Sequence, residues 1–282
     1  MPPIVKIAAV QFDPKIMQNG QNLERMLAEL KTAAGNGAKL IVFPECALPG
    51  YVYASREEAL PYMETIPGPA TERLTAACKE FGVYAVMGLL EKDGNKCYNA
   101  AVLTGPEGLI GKYRKIHLPY LGIDRFVDHG DKGFSVYKTP IGNIGLFICY
   151  DASFPESARV MTLMEADILV LPTNWPVEAH RVPRYVIVCR AYENRVHVVA
   201  CDRVGKERNG TFLGTSKIVR CTGDTLAQAS TDQEETIYGE VDLDEARQKR
   251  IVRIPGEFEV DHIADRHPEF YGEITKANKA GR

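Results

Sequence analysis

Two polar residues close apolar runs in this sequence, and a third sits in a basic cluster. Glu45 follows Leu40-Ile41-Val42-Phe43-Pro44, and Cys149 follows Ile144-Gly145-Leu146-Phe147-Ile148. Lys115 lies in Lys112-Tyr113-Arg114-Lys115-Ile116-His117, just after the Gly108–Gly111 turn. A cysteine attacks through its thiolate, and a nearby ammonium lowers the thiol pKa. A glutamate held in a desolvated cleft has its own pKa raised toward neutrality, where it can shuttle a proton. Together the three could run acyl transfer without a metal or a histidine. Each also has a plainer reading alone. The glutamate could be satisfied by backbone amides, the lysine could belong to a solvated face, and the cysteine could be core packing. The three are far apart in the chain, so no local motif joins them and only the fold can bring them together.

The elements that must do this are legible as short apolar segments. Residues 4–12 read as a strand rich in β-branched side chains. Leu23, Met26, Leu27 and Leu30 recur at helical spacing and end at Gly35–Gly37. Leu40–Phe43 is a continuous apolar run, as expected of a strand covered on both faces. A helix is predicted over 69–81, opened by Gly68-Pro69 and closed by Gly82, with strands at 83–90 and 98–104. Strands at 144–149, 168–171 and 196–202 alternate with helices from Pro155 to about Glu165 and over 180–194. Residues 212–240 read as antiparallel hairpins. The pattern predicts one α/β domain over 1–282 with a large mixed sheet and a polar C-terminal arm from about 256. Open α/β sheets place ligands outside the carboxyl ends of their strands, which is where Glu45 and Cys149 fall.

Composition narrows the function classes. The chain is 45% hydrophobic and 25% charged with net charge −3, which excludes a disordered chain. That near-neutral balance speaks against nucleic acid as the main partner. No run of 18 apolar residues is present, so no membrane-spanning helix is expected. Seven cysteines, an odd number, with no Cys-x-x-Cys pair and no basic-then-apolar leader, point to free thiols in a reducing cytoplasm. No phosphate-cradling Gly-x-x-x-x-Gly-Lys segment occurs. The expected cofactor and metal content is therefore none.

Taken in order, the motifs resemble the nitrilase (carbon–nitrogen hydrolase) superfamily. They are Lys6–Gln11, Phe43-Pro44-Glu45 with Gly50-Tyr51, Tyr113–Leu118, Cys149-Tyr150-Asp151 with Phe154-Pro155-Glu156, Pro172-Thr173-Asn174-Trp175-Pro176, Arg190–Arg195 and Gly214–Ile218. The resemblance covers nearly the whole chain. It implies a four-layer αββα sandwich that pairs into a homodimer or higher homo-oligomer through helices and the C-terminal arm. It implies a triad of Glu45 as base and acid, Lys115 as oxyanion stabiliser and Cys149 as nucleophile, with the Tyr150 amide helping to hold the oxyanion. Many members carry a further glutamate in a Phe-x-Glu-x-Gly segment. Here the matching stretch is Phe126-Val127-Asp128-His129-Gly130, which puts Asp128 in that supporting place.

The remaining candidates carry less chemistry. Trp175, Tyr51 and Tyr120 are expected to wall the substrate pocket, with Phe126 a further loop aromatic. His117 and Cys46 are expected to be structural, and Arg190 to pair with Glu193. Arg181 and Arg184 could bind a substrate carboxylate or could simply be surface charges. The leading expectation is hydrolysis of a small linear amide, of amidase or carbamoylase type, through a thioester. Cys149-Tyr150-Asp151 lies closer to the amidase branch than the Cys-Trp-Glu common among nitrile hydrolases. A nitrilase, an acyl transferase using the same thioester, and a non-catalytic scaffold are the competing readings.

Overall fold

The computed structural model of the chain describes residues 4–277. In the first half, β1 (Ile4–Gln11) leads through α1 (Asn19–Gly35) to β2 (Leu40–Val42). After α2 (Arg56–Ala59) and α3 (Pro69–Phe81) come β3 (Tyr84–Asp93), β4 (Lys96–Gly105) and β5 (Gly108–Arg114). In the second half, β6 (Val136–Thr139) and β7 (Gly142–Leu146) precede α4 (Pro155–Leu163), β8 (Ile168–Pro172), α5 (Ile187–Asn194) and β9 (His197–Cys201). A short hairpin, β10 (Lys206–Glu207) with β11 (Gly210–Thr211), is followed by β12 (Lys217–Val219), β13 (Thr225–Gln228) and β14 (Glu235–Asp242). Last come α6 (Leu243–Arg247) and the arm hairpin of β15 (Arg250–Ile254) and β16 (Phe258–Asp261).

The sequence pattern suggested one large sheet. The structure has two six-stranded sheets, ordered β14-β1-β2-β3-β4-β5 and β13-β12-β9-β8-β7-β6. Each has a parallel centre, β1-β2-β3 in one and β7-β8-β9 in the other, flanked by antiparallel strands. Apolar periodicity identifies strands but does not say which sheet a strand joins, so the division into two was not readable from it. Alternation along the first sheet shows how the layers stack. Val5, Ile7, Ala9, Leu40, Val42, Val86 and Leu103 point into a core shared with Ile144, Leu146, Ile168 and Val170 of the second sheet. Their neighbours Ala8, Val10, Ile41, Ala85, Met87 and Val102 pack instead on Leu23, Met26 and Leu30 of α1 and Leu74 of α3. Helices α4 and α5 cover the other sheet through Ala158, Met161, Ile187 and Ala191. The architecture is therefore an αββα sandwich with a continuous apolar interior.

Local signals explain the element boundaries. Helix α3 begins with Pro69 in its first turn, where the missing N–H costs nothing, and ends at Gly82 with φ +63°. The region expected as one helix over 180–194 differs. Val182–Val186 form a π-helical turn before α5, with Pro183 inside it. Among the described residues no helix is long and apolar enough to cross a membrane.

One glycine couples this packing to the site. A Cβ on Gly88 of β3 would lie 2.4 Å from the Pro44 carbonyl oxygen, 2.5 Å from the Cys46 nitrogen and 2.7 Å from the Glu45 Cα. All three are backbone atoms that no rotamer change can move aside. Gly88→Ala is therefore expected to lower unfolding stability by about 1–3 kcal/mol. It should also depress activity by pushing the Glu45 turn outward. Urea unfolding and steady-state kinetics on the variant check both.

Candidate active site

The site lies where strands from both sheets end. Glu45 follows β2, Lys115 follows β5 and Cys149 follows β7. Phe43, and Phe147 with Ile148, stay in the core between the strand ends and Glu45 and Cys149, whereas Lys115 comes directly after the buried Arg114 that ends β5. Cys149 opens the 3-10 turn Cys149–Ser153 with φ +45°, a left-handed backbone that costs a non-glycine residue about 1–3 kcal/mol. Asp151 holds that turn. Its Oδ2 accepts from the Ile148 amide at 2.9 Å and the Tyr113 hydroxyl at 2.8 Å. Its Oδ1 accepts from the His117 amide at 3.1 Å and lies 2.7 Å from His117 Nδ1. The His117 ring also stacks on Phe154 with centroids 3.8 Å apart. His117 is thus structural, tying the segment after Lys115 to the cysteine turn.

Lys115 is wholly buried and sits between two carboxylates. Its Nζ donates to Glu45 Oε1 at 2.7 Å and to Asp124 Oδ2 at 2.5 Å. Among the described residues the third ammonium N–H has no partner. Asn99 of β4 bridges the same two acids, donating from Nδ2 to Glu45 Oε1 at 2.7 Å and to Asp124 Oδ1 at 2.8 Å. The Tyr51 hydroxyl donates to Asp124 Oδ2 at 2.8 Å. Cys46 donates to Asn99 Oδ1 and otherwise packs.

The electrostatics follow from burial. Burial pushes the Glu45 carboxyl above its ordinary value and Asp124 adds to this, while Lys115 and Asn99 pull it back. Burial alone would lower Lys115, but Asp124 and Glu45 outweigh it and hold the ammonium firmly protonated. The Cys149 thiol was expected to be lowered by Lys115. Instead burial, then Glu45, push it well above its ordinary value, and Lys115 opposes them without prevailing. The resting group is therefore a thiol that needs a base. Cys189 is the exposed cysteine among the seven, whereas Cys149 is buried.

Several polar atoms around the cysteine are buried without a hydrogen-bond partner: Glu45 Oε2, Thr173 Oγ1, both side-chain atoms of Asn174, and Asp202 Oδ2. Asp202 follows β9, and its Oδ1 accepts from the Trp175 amide at 2.9 Å. Its carboxyl is held well above the usual aspartate range, chiefly by burial. Unpaired buried polar groups are costly and rare. Half of the unpartnered buried polar atoms among the described residues lie at these strand ends, leaving hydrogen-bonding capacity beside the cysteine.

Not every expected residue lies here. Asp128 is displaced from the expected role. Its Oδ2 takes the Arg56 guanidinium and the Cys97 amide, at 2.5 and 2.9 Å. The second acid at Lys115 is Asp124, on the turn Gly122–Arg125. The loop after Lys115 doubles back at Gly122, φ +50°, so the carboxylate arrives earlier in sequence than the Phe-x-Glu-x-Gly alignment suggests. Tyr51 and Tyr120 both line a cavity of about 360 Å³ beside the site, Tyr51 buried and Tyr120 almost fully exposed. Trp175 is buried and Tyr150 is half-exposed against Phe154, and neither lines that cavity. Phe126 lies under the Arg125 guanidinium at 4.6 Å. Arg190 does pair with Glu193, at 2.9 Å. Arg181 and Arg184 are exposed and stand outside the cavity wall.

Metal-ligating residue types gather at His197, Cys221 and Glu245. There His197 Nδ1 accepts from the Cys221 amide at 3.1 Å, so Nε2 carries the proton and donates to the Asp242 carbonyl at 2.8 Å. Glu245 pairs with Arg220. Both ring nitrogens are engaged, and the cluster is a packing contact.

This sandwich, with a glutamate, a lysine and a cysteine on its strand ends, defines a carbon–nitrogen hydrolase of the nitrilase superfamily. A model of the carbon-nitrogen hydrolase family matches residues 6–251, and the chain belongs to that family. It is similar to a protein named nitrilase from Pyrococcus abyssi, 40% identical over 95% of this chain and 99% of that one. It is similar to a citrullinase from Francisella tularensis, 32% identical over 96% and 98%. A crystal structure of a carbon-nitrogen hydrolase from Helicobacter pylori superposes with a TM-score of 0.87 at 25% identity, covering 98% and 99% of the two chains.

The two acids separate cleanly by mutation. Asp124→Asn is expected to lower kcat/KM by about 10²-fold, as loss of one charged group at a proton-transfer site does. Asp128→Asn is expected to stay within about threefold of wild type, as for a partly exposed ion pair. Steady-state kinetics with a matched circular dichroism spectrum distinguish them.

Proposed function

We propose that the chain hydrolyses a small linear amide through a Cys149 thioester, with Glu45 as base and acid and Lys115 as oxyanion donor. The observation that carries this reading is the pair of unused valences in the buried cluster. Glu45 Oε2 and the third Lys115 N–H both lack partners where a thiol of raised pKa needs a base and an oxyanion needs a donor.

The steps balance as follows. Cys149 Sγ gives its proton to Glu45 Oε2 as sulfur attacks the amide carbon. The C=O electron pair moves onto oxygen, where Lys115 and the Tyr150 amide stabilise it. Protonated Glu45 then delivers that proton to the amide nitrogen, the C–N bond breaks, and ammonia or an amine leaves. Water adds to the thioester while Glu45 takes one of its protons. Collapse expels the thiolate, which recovers the proton, and releases the carboxylic acid. Asp124 remains the counter-ion of Lys115 throughout. Two modest barriers replace one high one. The names of the relatives, a nitrilase and a citrullinase, support carbon–nitrogen bond hydrolysis as the common chemistry.

We also infer a single functional unit spanning the chain and working as a homodimer in the cytoplasm. Support comes from apolar side chains exposed on and just after α4, Val160, Leu163 and Met164, and on the arm, Phe258 and Phe270, and from seven free cysteines. An isologous contact is the commonest solution for such a face.

Cys149→Ala should abolish ammonia release from simple amides while the circular dichroism spectrum is unchanged. Activity within tenfold of wild type would overturn the mechanism. Matched amides should be turned over with higher kcat/KM than the corresponding nitriles, and the reverse order would favour the nitrilase reading. Sedimentation should give about twice the 31.3 kDa chain mass.

A further inference from the structure

The cavity of about 360 Å³ is large enough for a small metabolite. Its walls come from both arms of the site and from the β10–β11 hairpin through Asn209–Phe212. The segment after Lys115 supplies Tyr120, Leu121, Gly122 and Arg125, and the segment after Trp175 supplies Pro176, Val177 and Glu178. Tyr51 backs it and touches Asp124 through its hydroxyl. Most of the lining is apolar or aromatic. Arg125 and Glu178 bring formal charges of opposite sign.

Both charged side chains are exposed. Arg125 is held in place: Nε donates to the Gly122 carbonyl at 3.0 Å, Nη2 donates to the Tyr53 carbonyl at 3.1 Å, and the guanidinium lies over Phe126. Those bonds leave Nη1 and one Nη2 proton unused, on a fork suited to a carboxylate. No carboxylate meets it among the described residues. Its neighbours differ. Arg203 is matched by Asp13 and Glu207, and Arg208 by Glu58. Glu178, likewise, has no cation or hydrogen-bond partner among the described residues. An anchored guanidinium with a free fork and an exposed carboxylate of opposite sign, both lining one small cavity and not paired with each other, form a template for a ligand carrying the complementary pair.

We propose that this cavity receives the far end of the substrate, and that Arg125 and Glu178 select an amide whose other end carries both a carboxylate and an ammonium. This rests on the amidase reading above. The scissile amide enters the buried cluster of Glu45, Lys115 and Cys149. Arg125 takes the carboxylate, Glu178 the ammonium, and Tyr51 and Phe212 flank the connecting methylenes.

The test is a matched set built on one butanamide skeleton: butanamide, glutaramate, 4-aminobutanamide and L-glutamine. They carry neither charge, the carboxylate, the ammonium, and both. The zwitterion should exceed each singly charged amide about tenfold in kcat/KM, the gain of one charge-assisted hydrogen bond. The gain should lie in KM. Arg125→Gln should erase the advantage of L-glutamine over 4-aminobutanamide. Glu178→Gln should erase its advantage over glutaramate. Equal or faster turnover of butanamide or of a singly charged amide, or ratios unmoved by the variants, would overturn the assignment and leave the amidase reading intact. Turnover of none of the four would overturn both.

Discussion

An ammonium removed from water loses several kcal/mol of hydration unless its charge and its protons are met. Lys115 is buried at the junction of the two sheets, and Glu45 and Asp124 meet it there at 2.7 and 2.5 Å. Three ionisable groups in one buried cluster give an odd charge count. One positive charge cannot neutralise two negative ones, so the carboxylate with the weaker support takes up protons more easily. Asp124 has the Tyr51 hydroxyl, Asn99 and Lys115 on its two oxygens, whereas Glu45 has one oxygen with no partner. The asymmetry leaves Asp124 hydrogen-bonded at both oxygens and Glu45 with one oxygen free, as the proposed proton carrier requires.

The fold serves this cluster by bringing strand ends from two sheets to one edge. Glu45 and Lys115 leave the first sheet and Cys149 leaves the second, so the sandwich must close before the site exists. Gly88 lets the Glu45 turn lie against β3, and Asp151 anchors the cysteine turn to the segment after β5. The Arg203–Glu207 pair extends the same rigidity to the cavity wall. Glu207 Oε1 accepts from the Tyr51 and Val52 amides, and Arg203 packs over Phe212 at 4.2 Å.

Much of this was legible in the sequence because strand ends announce themselves. A continuous apolar run followed by Glu45 or Cys149 is a local signal, and the motif order supplied Lys115. The same signal stood at Asn174 after Leu171-Pro172-Thr173 and at Asp202 after Val198–Cys201, and it marks two further buried groups beside the cysteine. Asn99, a polar residue leading into Ala100–Leu103, is a weaker sign of the same kind. From the sequence Asp124 reads as a surface charge flanking Asp128, because its place depends on the path of a loop. Gly122 in a left-handed conformation reverses the chain, and no periodicity reports that. The direction of the Cys149 pKa shift was missed for a related reason. Residue types reveal the lysine that lowers it, but only the packed structure reveals the burial that raises it.

The central claim is that Asp124 raises the proton affinity of Glu45 by its charge while Lys115 stays protonated between them. The direct measurement is the acid limb of the kcat/KM profile for wild type and Asp124→Asn. In the proposed mechanism Glu45 must be ionised to accept the thiol proton, so activity is expected to rise with pH through its raised pKa. Removing the Asp124 charge removes a raising influence, so the account predicts that the limb moves to lower pH in the variant, at reduced amplitude. A limb that stays in place or moves to higher pH would contradict it.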